Sequence, residues 1–294
     1  MNLHIFRPLK DNVPEAKLAV LAAVLLVLLS SSFWMLRRGE EGGGEVFELE
    51  AERVVMSGWR MEPAEYGGVP VTRITADSSL LTGLSLSPLG TSSPVAEVGK
   101  MTVYARRVEG TAGGVEAGWE GGDVPVKVLE LLLPRENAEM TGVKMEILHL
   151  EAESMVLPSL RVEAPPAHPR RVSMPSVRMK GWSMRGPSGV EVSGRRVQVT
   201  ELSVAELSGE MHLGYGSCVL GGKIEQRRAE IWASETSGEV AGFRAGWRGD
   251  QAPQDAAIRN LAGDPATLLN VDLRLLHLLA ENTVLREVEM RVLG

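Results

Sequence analysis

The sequence predicts a mainly β protein behind one apolar N-terminal helix. Three observations carry this reading. Apolar and polar residues alternate over many short stretches, which Gly, Pro and Ser punctuate. No long helical period separates these stretches before residue 249. Near the start, Leu18 to Leu36 (LAVLAAVLLVLLSSSFWML) is almost wholly apolar. Short strands at regular spacing, with no helices between them, indicate a sandwich, roll or solenoid of repeated hairpins rather than βαβ units. The 32 glycines suit many turns, and with aromatics at 4 % the interior must be filled by Val, Leu, Ala and the 13 methionines.

Residues 1–17 form a polar head with Arg7, Lys10 and Lys17. Residues 18–36 span roughly 28 Å as a helix, about the thickness of a bilayer's hydrocarbon layer. Trp34 suits the interface, and Arg37-Arg38 end the segment. A cleaved signal peptide with Ser30 and Ser32 before the cut is the competing reading. The run continuing through Phe33-Trp34-Met35-Leu36 and the acids Asp11 and Glu15 favour an uncleaved anchor, its N-terminus in the cytoplasm. Residues 37–45, with Gly39 to Gly44 (GEEGGG), read as a flexible tether.

Residues 46–248 read as the β-domain. Phe47, Leu49 and Ala51 alternate with glutamates, and Met101, Val103 and Ala105 alternate with Thr102 and Tyr104. Val143, Met145 and Ile147 alternate until the parity flips at Ile147-Leu148, as a β-bulge would make it. Leu150 and Ala152 continue, then Leu160 and Val162. Val177, Met179, Trp182 and Met184 follow, with Gly181 marking a second bulge. One pattern recurs. Leu49-Glu50-Ala51-Glu52 returns as Leu150-Glu151-Ala152-Glu153, and more loosely as Ile74-Thr75-Ala76-Asp77. It reads as a strand end, a tight connection and the next strand. Pro165 to Arg171 (PPAHPRR) reads as a stiff connection.

Residues 249–294 read as a C-terminal segment of a short helix and a closing strand. Asp264-Pro265 would cap the helix. Leu268, Val271, Leu275, Leu278 and Leu279 fall on one helical face. Leu269, Val271, Leu273 and Leu275 also alternate, but the length favours the helix. Val284, Val288, Met290 and Val292 would close the chain.

Composition and motifs narrow the function. A net charge of −7 argues against a nucleic-acid partner. The single Cys218 reads as a small buried apolar residue. The five histidines share no metal-ligand spacing, so no metal or cofactor site is expected. Phosphate-loop, HExxH and GxSxG motifs are absent, and Gly186-Pro187-Ser188-Gly189 reads as a turn. Glu151 and Glu153 read as a solvated strand face. No catalytic residue is assigned, and a non-enzymatic binder, scaffold or conduit is expected. The candidate binding surface is the inward apolar face, with Met101, Val103, Val143, Met145, Leu150, Leu160, Val162, Met179, Trp182 and Met184.

The strand units Met140-Thr141-Gly142-Val143-Lys144-Met145 into Leu150-Glu151-Ala152-Glu153, and Ile74-Thr75-Ala76-Asp77, carry a resemblance. Over residues 46–235 the chain resembles the OstA-like β-jelly-roll family of lipopolysaccharide export. With one helix ahead of the domain it is similar to the LptC-like bitopic subunits. Both LEAE copies carry Glu where the family usually carries Asp. The resemblance implies a single-pass protein of the bacterial inner membrane with its C-terminal domain in the periplasm. It implies a lipid ligand of the lipopolysaccharide kind, its acyl chains held in an open, V-shaped roll. It also implies transporter subunits in the membrane and a periplasmic β-roll partner joined edge to edge. An acidic protein repels an anionic headgroup, so binding would rest on burying acyl chain at about 0.8 kcal/mol per CH₂. The rival expectation is a non-lipid structural adaptor of a secretion, pilus or envelope-assembly complex. An open groove would favour the lipid and a filled core the adaptor.

Overall fold

A computed structural model describes residues 46–125, 137–192, 194–240, 242–251 and 262–293. The expected head, membrane helix and tether lie outside the described residues. Among the described residues no helix is long and apolar enough to cross a membrane.

Thirteen strands join in one antiparallel sheet. Eight lie in the first half: β1 (Phe47–Ser57), β2 (Arg60–Tyr66), β3 (Val69–Ala76), β4 (Ser78–Ser87), β5 (Thr91–Val98), β6 (Met101–Ala112), β7 (Val115–Glu120) and β8 (Asn137–Glu163). Five follow: β9 (Arg170–Val192), β10 (Arg195–Tyr215), β11 (Cys218–Val240), β12 (Phe243–Arg248) and β13 (Ala266–Val292). The sheet closes on itself twice. β1, β4, β5 and β8 pair in a circuit, and so do β9, β10, β11 and β13. Inward side chains of both circuits belong to one hydrophobic cluster.

The strands are longer than the alternation suggested, because changes of parity divide them. In β8 the buried positions run Met140, then Val143, Met145 and Ile147, then Leu150 and Ala152, then Met155 and Leu157, then Leu160 and Val162. Each change of parity re-aims the side chains as the strand bends. The expected flip at Ile147-Leu148 is one of these. Tyr104 faces His149 while Ala105 faces Ile147, which leaves Leu148 as the bulged residue. The LEAE steps lie within β1 and β8, not at strand ends. Ala51 and Ala152 are buried and the glutamates face outward. Glu52 lies across Gly83, where an added Cβ would meet the Glu52 Cγ at 2.6 Å. Gly83 also has a φ of +63°, so two constraints call for glycine at this corner.

The C-terminal segment departs from expectation. Residues 266–292 form one strand with no helix, and β13 runs between β11 on one edge and β9 and then β8 on the other. Its bulges explain the misleading pattern. Asn270 and Asn282 take positive φ, and at Leu275-Leu276 two neighbours are both buried. Shifting an alternation by one residue at such steps spaces apolar positions three and four apart, as a helix does.

The two circuits are copies of one unit. A shift of 128 residues (277 − 149) carries Leu148-His149-Leu150 onto Leu276-His277-Leu278 and Gly118-Trp119 onto Gly246-Trp247. The strand register follows. Tyr104 faces His149 and Trp232 faces His277, and the same bulge comes next, Ala105 facing Ile147 and Ala233 facing Leu275. The Trp119 Nε1–H donates to Thr72 Oγ1 at 2.9 Å, and the Trp247 Nε1–H donates to Thr200 Oγ1 at 2.9 Å. In the second copy β9 does the work of β1 and β2, β10 of β3 and β4, and β11 of β5 and β6. The copies meet where β8 pairs with β13. Val156 faces Val284, its own equivalent, so the pairing has a local two-fold axis there.

Thr72→Val and Thr200→Val each leave an indole N–H without its acceptor. Each should cost about 1–3 kcal/mol in denaturant unfolding. If the copies are equivalent, the two losses should agree closely. A large loss at one site and none at the other would count against equivalence.

Candidate functional site in the apolar interior

All ten residues expected on the inward face are buried, from Val162 at 0 % exposure to Met101 at 8 %. They belong to one cluster but do not converge on one groove. Met179, Trp182 and Met184 line a void of about 60 Å³ in the second copy, with Thr200, Ile231 and Trp247. Leu160 and Val162 line a void of about 20 Å³ near the junction of the copies, with Met155, Leu157, Met211 and Leu285. Val103, Val143, Met145 and Leu150 pack in the first copy and line neither void. Met101 accepts a contact from the Ser79 hydroxyl at 3.6 Å and borders an outer cleft. The interior is therefore packed inside closed circuits, and the open, V-shaped roll that the resemblance implied is not formed. Its voids accommodate water-sized groups, and an acyl chain would have to displace side chains.

The filling is unusual in kind. Ten methionines are buried, among them Met155 and Met211 at the smaller void and Met179 and Met184 at the larger. Unbranched thioether chains reshape more readily than branched ones. Polar atoms interrupt this interior. Thr91 is among the residues around the smaller void and Thr236 among those around the larger; each hydroxyl is buried without a hydrogen-bond partner, while the linings of both voids are apolar. Gln226 Nε2 and Thr283 Oγ1 are likewise buried and unpartnered. The sequence reading missed all four. Single Thr or Gln residues at inward positions of an alternation were the available signal.

It also missed Arg170, placed in the expected stiff connection. Among the described residues it is the one Lys, Arg, Asp or Glu in the buried class, at 7 % exposure. It starts β9 on the inward parity of Val172 and Met174.

The outer face is acidic where the copies join. Glu151 faces Glu289 across the β8–β13 ladder, beside Glu153 and Glu287. His149 Nε2 lies 3.0 Å from Glu151 Oε1, and Lys223 Nζ lies 2.6 Å from Glu287 Oε1. No group of three or more His, Cys, Asp or Glu among the described residues could hold a metal ion. Tyr66 stacks on His149 with ring centroids 5.1 Å apart, and its phenol is raised above the ordinary value by burial first and then by Glu289 and Glu151. Cys218 is fully buried.

The chain matches no protein-family model and no curated protein.

His277 lies against Trp232 with the rings tilted by 33° and their centroids 4.5 Å apart, and it is held below its ordinary value, first by burial. Glu163 and Glu230 pull upward and Arg161 pulls downward. The unfolded chain thus takes up the proton at higher pH than the folded chain does. Stability is full above the unfolded value of about 6.5 and falls as pH drops through it. Between about pH 7.5 and pH 5.5 the melting temperature should fall more steeply for the wild type than for His277→Gln. Parallel profiles would show that this ring does not titrate as described.

Proposed function

We propose that this chain is a membrane-anchored lipid carrier of the cell envelope, whose closed sheet is a β-jelly-roll that takes acyl chains into its interior. One observation carries the reading. The interior is filled by many methionines around two apolar voids, a filling that an incoming chain can rearrange at modest cost. Each methylene buried contributes about 0.8 kcal/mol, so a chain of ordinary length offsets that rearrangement. The apolar N-terminal segment 18–36 would hold the domain at a membrane. The resemblance to the LptC-like subunits supplies the setting: the periplasmic side of a bacterial inner membrane, lipopolysaccharide received from transporter subunits and passed to a β-roll partner. The outer edges of β7 and β12 are free of strand partners among the described residues and suit such edge-to-edge joining.

A second reading has its own support. The voids are small and the core is otherwise packed, as a structural adaptor working through its surface would require.

Photo-crosslinking residues placed at Met155, Met211 and Met179, which line the two voids, separate the two readings. In cells, the carrier gives lipid adducts at these inward positions. Protein adducts from surface positions, with no lipid adduct at any inward one, would establish the adaptor and remove the carrier.

A further inference from the structure

The buried Arg170 has no carboxylate within ion-pair distance among the described residues. Its Nε–H donates to the Leu89 carbonyl at 3.0 Å, and a terminal N–H donates to the His168 carbonyl at 2.6 Å. Its guanidinium carbon lies 4.2 Å from the centre of the Tyr215 ring. Burial holds it below its ordinary value, with Tyr215 pulling upward. A buried charge satisfied only by carbonyls and a ring is an expensive way to fill a core. The other copy fills the same place differently. The Val-x-Met-x-Gly-Trp-x-Met pattern aligns Val54–Met61 with Val177–Met184, a shift of 123 residues (181 − 58). That shift places Arg170 on Phe47, which is apolar and fully buried. Packing at this position is thus met by a phenyl ring, and the charge in the second copy needs a separate explanation.

Its position supplies one. Inward side chains stack in layers along the strands. Val172, Leu213, Thr91 and Leu275 line the smaller void. In the next layer outward, Arg170 precedes Val172 by two residues and Tyr215 follows Leu213 by two. Leu275 pairs directly with Arg170 across the β9–β13 ladder. The guanidinium therefore belongs to the layer next to the void, beyond the residues that line it. The turn it holds through Leu89 leads straight into Thr91, one of the residues around the void, whose hydroxyl is buried without a partner.

We propose that Arg170 anchors the headgroup of an anionic amphiphile, a carboxylate or phosphate carried on an acyl chain, with the chain running into the void past Thr91. This rests on the lipid reading above and adds to it which end of the interior admits the ligand and which charge its head carries. The apolar guanidinium faces keep the arginine packed when no ligand is bound. An anion replaces the Leu89 carbonyl with a charge-assisted, two-pronged pair, which is the stronger partner. Release of Leu89 frees the Ser87–Gly90 turn, and the chain displaces Met155 and Met211. The acidic outer face repels the anion, so the anchor must lie inside, as it does.

The test uses the full chain in bilayer discs with two photoreactive probes of equal length, one a fatty acid and one the matching fatty alcohol, each with a diazirine at the chain end. The acid should label peptides containing Val172, Leu213 or Leu275 more strongly than the alcohol by about tenfold, the worth of a charged hydrogen-bonded pair. Arg170→Met should bring the two probes level, and Arg170→Lys should restore part of the difference. Equal labelling of these peptides by acid and alcohol in the wild type overturns the anchor and leaves the carrier reading standing. Labelling by neither probe overturns both. The wild-type ratio decides the matter even where Arg170→Met unfolds the domain.

Discussion

β8 and β13 pair from His149 opposite Arg291 to Glu163 opposite His277, and everything else in the domain is hung from that ladder. Each is 27 residues long and is shared by its own circuit and by the junction. β8 takes β1 and β6 along its first part and β5 beyond, and β13 takes β9 and β11 in equivalent places. A strand that serves two circuits cannot stay straight. Bulges at Leu148 and Leu276 and corners at Gly142 and Asn270 turn it while keeping apolar side chains inward. The same ladder brings glutamates face to face on the outside. Like charges opposite one another oppose pairing, so burial beneath them must hold the junction.

Much of this was legible in the residues. Alternation identified the strands, and the broken alternation at Ile147-Leu148 located a bulge to the residue. The ten inward candidates all point inward, because a period of two assigns a face directly. Volume is another matter. A face says nothing of how far the opposite wall stands, so the packed interior and its small voids could not be read from spacing. The repeat was legible in principle but masked. The LEAE steps at Leu49 and Leu150 share more neighbouring identities than any true equivalents, yet they lie in different strands of one copy. The real repeat keeps isolated matches such as His149 with His277 and shifts by five residues between Gly58 and Thr72. The C-terminal helix failed for a related reason, since bulged strands imitate helical spacing over a few turns.

Function in this molecule depends on how a closed interior treats an incoming chain. The two copies admit polar groups to the core at different positions. Arg170 stands in place of Phe47, and Thr236 stands where the shift of 128 residues places Val108. The methionines give up some rigidity for an interior that can be reshaped.

The most direct measurement is NMR of the methionine ε-methyl groups in the full chain, titrated with an acyl-chain amphiphile below its micelle concentration. The account predicts saturable shifts at Met155 and Met211 and at Met179 and Met184, which line the two voids, with smaller changes at Met56 and Met290. Buried methyl signals that stay unmoved while only surface residues respond would contradict it.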